Sequence, residues 1–250
     1  MEKRTAEGPH RLRMEQDSNP RIRGMADRAE RSVPRQIIVL ALEQLHLRRV
    51  YHKARAFAAT QAGKHRLRRA VASTPLRIVV GSGGVVESGW VNTDKAYLDL
   101  LNPDGWETYF GKHQIDAILA EHVWEHLTPD EGVIAAKTCR RYLRRGGYLR
   151  IAVPDGNHPD RNYINSVMPG GCGPGADDHK VLYDYKTLSR TISEAGFEIE
   201  LLEYFDESGR FMFNDWDPSA GMIHRSSRFD ERNSGGGLDY TSLIIDAHSA

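Results

Sequence analysis

Between residues 76 and 155, short apolar runs recur, and each ends in glycine or a charged residue. Leu76-Arg77-Ile78-Val79-Val80 enters Gly81-Ser82-Gly83-Gly84. Trp90-Val91-Asn92-Thr93 ends at Asp94, Ile115 to Ala120 at Glu121-His122, and Tyr148 to Val153 at Pro154-Asp155. Apolar stretches this short, with little alternation, read as strands buried on both faces. Between the third and fourth runs, Thr128-Pro129-Asp130-Glu131 opens a helix. It offers a hydroxyl cap, a proline at the first position, and acids that complement the helix dipole. Val133, Ala136, Cys139, Arg140 and Leu143 are its expected inward face, with Cys139 a small core residue. Asp184 to Gly196 reads as a later helix, and Phe197–Phe205 and Leu238–Ala247 as the last two strands. The expected architecture is α/β: a mostly parallel twisted sheet with an antiparallel last strand and helices on both faces. Leu76–Val80 is expected at its centre, with Tyr148–Val153 also interior. Such a sheet binds its ligand at the carboxyl ends of its strands.

The chemistry-bearing residues fall at those ends. Glycines after a first strand permit backbone angles closed to other residues and let a ligand approach the main chain. An acidic residue ending the second strand suits ribose hydroxyls. Gly81 and Asp94 are thirteen residues apart, too close for a full crossover helix, so that helix is expected to be a turn or missing.

The ordered series resembles the class I S-adenosylmethionine-dependent methyltransferases, and among them a bacterial branch of the methyltransferase type 11 group. The resemblance spans residues 66 to 247. It is carried by Gly89-Trp90-Val91-Asn92-Thr93-Asp94, Tyr97-Leu98-Asp99, Glu121 to Leu127, Leu143 to Asp155, and Arg225 to Ala247. It implies a Rossmann-like class I methyltransferase domain with S-adenosyl-L-methionine as cofactor. The glycines Gly81, Gly83 and Gly84 would lie under the cofactor, with Asp94 on the ribose, Asp99 near the adenine, and Glu121 and His122 near the sulfonium. Val79 stands where the wider superfamily has an acid for the cofactor's ammonium, and Val85 replaces the third glycine. Candidates for catalysis are His179, His122 and Asp155, with His158 as a rival. Histidine titrates near neutrality and suits a general base, and proximity alone can also drive methyl transfer.

His122-Val123-Trp124-Glu125-His126 matches H-x-x-E-H, a zinc pattern that requires both histidines on one helix face. A strand ends just before it and Pro129 starts the next helix, so no metal site is expected. Glu125 and His126 are expected to cap or brace the loop.

Composition adds an asymmetry. Formal net charge is zero over 250 residues, yet residues 1–77 carry 18 Lys and Arg against 7 Asp and Glu. Residues 1–33 read as a disordered basic arm, 34–74 as a basic helical extension divided near Gly63, and 75–250 as the catalytic domain. The arm keeps open a nucleic-acid acceptor, ranked below a small-molecule or saccharide acceptor because few aromatics accompany the charge. A non-catalytic binding protein on the same fold is the other alternative. The two cysteines suggest no disulfide framework. No run reaches the ~18–20 apolar residues of a membrane span, and a cytoplasmic location is the default expectation. The glycine-rich stretch Met168 to Gly175 is a candidate lid or substrate loop.

Overall fold

The computed structural model describes residues 35–85, 87–110 and 115–249, with the backbone alone for 35–46. The basic arm, 1–33, lies outside them. The chain divides into two compact units, one ending at Lys53 and one running from Ala54. Within the first unit, the helical residues Leu47, Val50 and Tyr51 are exposed. The second unit holds the sheet.

In chain order the elements are α1 (Arg35–Ala70), β1 (Arg77–Val79), β2 (Val91–Asn92), α2 (Pro103–Phe110), β3 (Ile115–Glu121), α3 (Pro129–Tyr142) and β4 (Leu143–Pro154). There follow α4 (Arg161–Val167), α5 (Tyr185–Ser193), β5 (Glu198–Phe205), β6 (Phe211–Phe213) and β7 (Ser242–His248). The seven strands lie in the order β2-β1-β3-β4-β7-β5-β6. β2, β1, β3 and β4 are mutually parallel, and β7 runs antiparallel to both β4 and β5. This is the mostly parallel, Rossmann-like sheet expected. Its middle strand is β4, however, and β1 lies one strand in from an edge, because the sheet ends at the two-residue β2. β6, at the opposite edge, was not foreseen.

Among the described residues no helix lies between Val80 and Val91, only turns, in line with the short spacing. Gly63 does not divide the first helix. A Cβ there would sit 2.6 Å from the Tyr97 ring, so the glycine makes room for packing. The α3 cap forms as read: Thr128 Oγ1 accepts the Glu131 N–H, and Glu131 Oε2 accepts the Thr128 N–H. The buried face of α3 is set by Ala135, Ala136, Cys139 and Tyr142, with Arg140 exposed. Burial pushes the Cys139 thiol far up, so it stays an inert core group.

The two faces of the sheet are covered differently. Ile78, Ile118, Leu149, Ile151 and Ile245 pack with Leu67, Trp106, Phe110, Ala136, Leu188 and Ile192, so α2, α3, α5 and the end of α1 cover one face. On the other face, Val79, Ala117, Leu119, Ala152, Leu202 and Ile244 meet Trp90, Trp216 and Ile223. Its cover is the return segment between β6 and β7, with 3-10 turns at Pro218–Ala220 and Glu231–Gly235 in place of long helices, so the helices expected on both faces pack on one.

Buried charge explains that cover. Arg150 on β4 stands opposite Asp246 on β7 and binds it through two hydrogen bonds of 2.8 and 2.7 Å. Its remaining nitrogen donates to the carbonyls of Asp217 and Gly221 at 3.1 and 2.7 Å. Trp216 lies against the guanidinium, 5.0 Å from ring centroid to Cζ. Glu203 on β5, fully buried, accepts from Trp216 Nε1, Ser227 N and Thr241 Oγ1 at 2.7–2.8 Å. Each charge is satisfied only with the return segment in place. No described helix is long and apolar enough to cross a membrane.

Removing one member of a buried pair strands the other, at a cost of about 3–5 kcal/mol. Arg150→Met is therefore expected to lower unfolding free energy in urea by that amount. The double variant Arg150→Met/Asp246→Leu is expected to recover part of the loss. A single-variant cost below about 1 kcal/mol, the range of exposed pairs, would show that the pair does not hold the segment.

Candidate functional site

The carboxyl ends of β1, β2, β3 and β4 meet at one edge of the sheet. β1 passes into Gly81, Gly83 and Gly84, whose φ angles of 61°, 56° and 96° lie in the left-handed region. At Gly81 the space is also tight, since a Cβ would approach Val123 Cγ2 to 2.8 Å. Gly84 has nothing within 4 Å of a Cβ position and leaves the turn open on its outer side. The turn is tied to β2 by Ser82 N–H to Thr93 O at 3.0 Å, and by the Asn92 side-chain amide to Val85 O.

Two cavities flank this turn. The larger, about 730 Å³, is bordered by Ser82, Gly84, Asn92, Asp94, Tyr97 and Arg66. Asp94 is exposed there; its Oδ1 accepts the Ala96 N–H at 2.9 Å. The second, about 560 Å³, is a cleft bordered by Val79, Gly81, Ser82, Gly83, Glu121 and His122 on one side. Glu125, His126 and His179 form a further wall, and Glu87, His224, Arg225, Arg232 and Tyr240 face it. Ser82 borders both cavities.

The expected cofactor residues are thus split. Gly81, Gly83, Glu121 and His122 border the cleft, while Gly84 and Asp94 border its neighbour. Asp99 borders neither: its Oδ1 caps the Leu101 N–H at 2.9 Å and its carbonyl accepts from Trp106 Nε1. It braces the entry to α2. Glu121 reaches the cleft, but its two oxygens accept the backbone N–H groups of Arg225 and His224 at 2.8 and 3.2 Å. It fastens the return segment across the strand ends.

Among the catalytic candidates, His122 and His179 border the cleft and Asp155 does not. Asp155 is fully buried, and its carboxylate accepts from Asn157 N and Phe205 N at 2.9 and 2.7 Å. It joins the end of β4 to the end of β5. Burial raises its pKa from the usual value near 3.8 to about 6, against the pull of those two amides. His158 is also set apart, stacked on Tyr163 with ring centroids 3.9 Å apart; burial lowers its pKa. His122 has a φ of 55°, in the left-handed region, where non-glycine residues are uncommon and often serve function. Its Nδ1 lies 3.0 Å from Glu125 Oε1, and its Nε2 lies 3.0 Å from Ser242 Oγ. His179 donates Nδ1–H to Val167 O at 2.7 Å, which leaves Nε2 as the nitrogen with a free lone pair.

Glu87 is the most informative residue not anticipated. It borders the cleft beside Val79, with His224 Nε2 3.9 Å away. Burial lifts its pKa, His224 counteracts this, and the charge of Glu121 adds to the rise. The facing wall comes from Arg225 to Tyr240. Asn233 organises it: Nδ2 donates to Ser227 O and Tyr240 O at 3.1 and 2.6 Å, and Oδ1 accepts from Asp239 N and Tyr240 N. The sequence signal was the Arg-Ser-Ser-Arg-Phe-Asp-Glu-Arg-Asn stretch, which carried the family resemblance without saying which strand ends it would cover.

No protein-family model matches the chain, and no curated protein matches it. Solved structures similar to it include a SAM-dependent methyltransferase from Archaeoglobus fulgidus, at 16% identity and TM-score 0.39, covering 75% of this chain and 92% of that one. A SAM-dependent methyltransferase from Thermotoga maritima aligns at 15% identity and TM-score 0.42, covering 81% and 97%. One from Mesorhizobium loti aligns at 10% and 0.42, covering 72% and 94%. The fold assignment rests on the strand order itself.

Asp155 yields a pH prediction. Its folded pKa lies above the unfolded value, so the folded state binds its proton more tightly. Its contribution to stability is full below about pH 4 and is lost as pH rises through 6. Relative to Asp155→Asn, wild-type unfolding free energy is expected to fall by up to about 3 kcal/mol across that window. A flat difference from pH 4 to 7 would contradict the burial assigned to this carboxyl.

Proposed function

We propose that the chain is an S-adenosylmethionine-dependent methyltransferase whose acceptor is a small molecule or a saccharide. The observation that carries this reading is an open glycine turn after β1 beside an acidic residue after β2, at the carboxyl ends of a mostly parallel sheet. This is the arrangement in which a nucleoside binds at strand carboxyl ends.

The residues present fit such a cofactor. Asp94 Oδ2 is the oxygen left for a ribose hydroxyl, since Oδ1 is committed to Ala96. Gly83 and Gly84 leave the backbone approachable. Glu87 takes the cofactor's ammonium, replacing the acid missing at Val79. Its raised pKa supports this role, because a partly buried carboxyl without a full cationic partner gains from one. The cofactor supplies an electrophilic methyl group; the chain's part is to orient, desolvate and handle a proton.

The acceptor enters the cleft between the Gly81 turn and the return segment. A cleft of about 560 Å³ suits a small ligand or one sugar unit. Its nucleophilic atom lies against His126 and His179, where a proton can leave. His122 is less suited to take that proton, since both its ring nitrogens face protein partners.

Two substitutions test the cofactor site by calorimetry. Asp94→Ala is expected to cost about 1.5–3 kcal/mol of adenosylmethionine binding, the range for a charge-assisted hydrogen bond. Glu87→Gln is expected to weaken adenosylmethionine and adenosylhomocysteine by a similar amount and leave adenosine unaffected. An unchanged dissociation constant for Asp94→Ala would remove it from the site. Equal losses for adenosine in Glu87→Gln would remove Glu87 from the amino-acid end.

A further inference from the structure

We propose that Glu125, His126 and His179 form a binding site for a divalent transition-metal ion of the zinc class on the cleft wall. One candidate ligand atom from each residue lies within 4.8 Å of the other two. All three border the cleft. The site stands on its own geometry; only the use made of the ion rests on the methyl-transfer reading.

The strongest observation is Glu125. It is 1% exposed, and neither carboxylate oxygen has a hydrogen-bond donor. His122 Nδ1, 3.0 Å from Oε1, is its ion-pair partner when the ring is protonated, and Oε2 has no partner of either kind among the described residues. A buried carboxylate in that condition is costly unless a cation answers it. Both neighbouring imidazoles are arranged as metal ligands usually are, with one ring nitrogen bonded to the protein and the other free. His179 uses Nδ1 on Val167 O at 2.7 Å. His126 turns Nδ1 to Asp178, 3.3 Å from its carbonyl and 3.4 Å from its carboxylate. Each therefore has Nε2 to offer, and the two rings lie 4.9 Å apart, centroid to centroid. Two imidazoles and one carboxylate are a familiar donor set for zinc and for iron-group ions.

A second cluster, Glu200, Asp246 and His248, lacks this character. Asp246 is already bound to Arg150 by two hydrogen bonds, which leaves only an exposed Glu200–His248 pair. It serves as the control.

Three protein ligands leave a position open toward the cleft. An acceptor hydroxyl bound there would lose its proton to water more readily, with its oxygen kept on the ion. The histidine wall then acts by acidifying the acceptor.

The test uses the full chain, stripped with a chelator and then titrated without cofactor or acceptor. Zn²⁺ binding is followed by calorimetry, and Co²⁺ binding by its visible ligand-field absorption. One ion per chain is expected. Glu125→Gln, His126→Ala and His179→Ala are each expected to weaken binding by at least about 10–100-fold, the loss caused by outer partners of a site alone. His248→Ala is expected to leave it unchanged. His126 is partly exposed, so its variant should keep the wild-type thermal unfolding curve and decides the question even if Glu125→Gln misfolds. No saturable binding would overturn the proposal. So would binding that survives both histidine variants, or binding that only His248→Ala abolishes. Adenosylmethionine affinity is measured separately. Cofactor binding without Co²⁺ binding overturns the metal site alone, and Co²⁺ binding without cofactor binding overturns the methyl-transfer reading alone.

Discussion

A guanidinium buried in the middle of the sheet sets the shape of one whole side of this protein. Arg150 and Asp246 face each other across β4 and β7, and the pair alone cannot satisfy the five donors of an arginine. The carbonyls of Asp217 and Gly221 supply the missing acceptors. Glu203 makes the matching demand from β5 and is met by Trp216, Ser227 and Thr241. These charges are expensive to bury and are balanced only when the return segment lies across the sheet. A face that would otherwise need helices is covered by irregular chain fixed at defined points.

The cleft follows from that constraint. Once the segment is pinned at residues 216–221, its next residues cross the strand ends, where Glu121 binds the amides of His224 and Arg225. That crossing brings His224 to Glu87 and sets Arg225, Arg232 and Tyr240 opposite the glycine turn. The lower wall has a separate origin. The loop between α4 and α5 returns to hydrogen-bond Glu125 O through Lys180 N, which sets His179 beside His126. Three carboxylates, four imidazoles and a glycine turn thus converge from parts of the chain far apart in sequence.

The strands and their polar endings were legible because they are local. The apolar runs, the glycines that need positive φ, Asp94 and the Thr128 cap each state their conformation within a few residues. Elements set by distant partners were not. Nothing near Gly63 announces that Tyr97 packs on it, and nothing near Asp155 reveals that Phe205 N–H awaits its carboxylate. Asp99 and Glu121 showed the right residue type, yet Glu121 at the end of β3 spends both oxygens on backbone amides and Asp99, at the entry to α2, spends Oδ1 on one. The H-x-x-E-H pattern directed attention to His122 and His126 as a pair. The fold sets His179, from a loop fifty-three residues beyond His126, in the place where a second histidine would serve. The cover of the second face was hidden for the same reason: Arg150 and Asp246 are 96 residues apart.

The central claim is that the edge formed by the Gly81 turn and Asp94 is an adenosylmethionine site. Native mass spectrometry of the full chain tests it most directly, because it reads the complex without knowledge of the acceptor. The account predicts a one-to-one complex with adenosylmethionine, and with its demethylated product, that is lost when Asp94→Ala and Glu87→Gln are combined. A chain that stays free of both compounds at saturating concentration, while remaining folded, would contradict it.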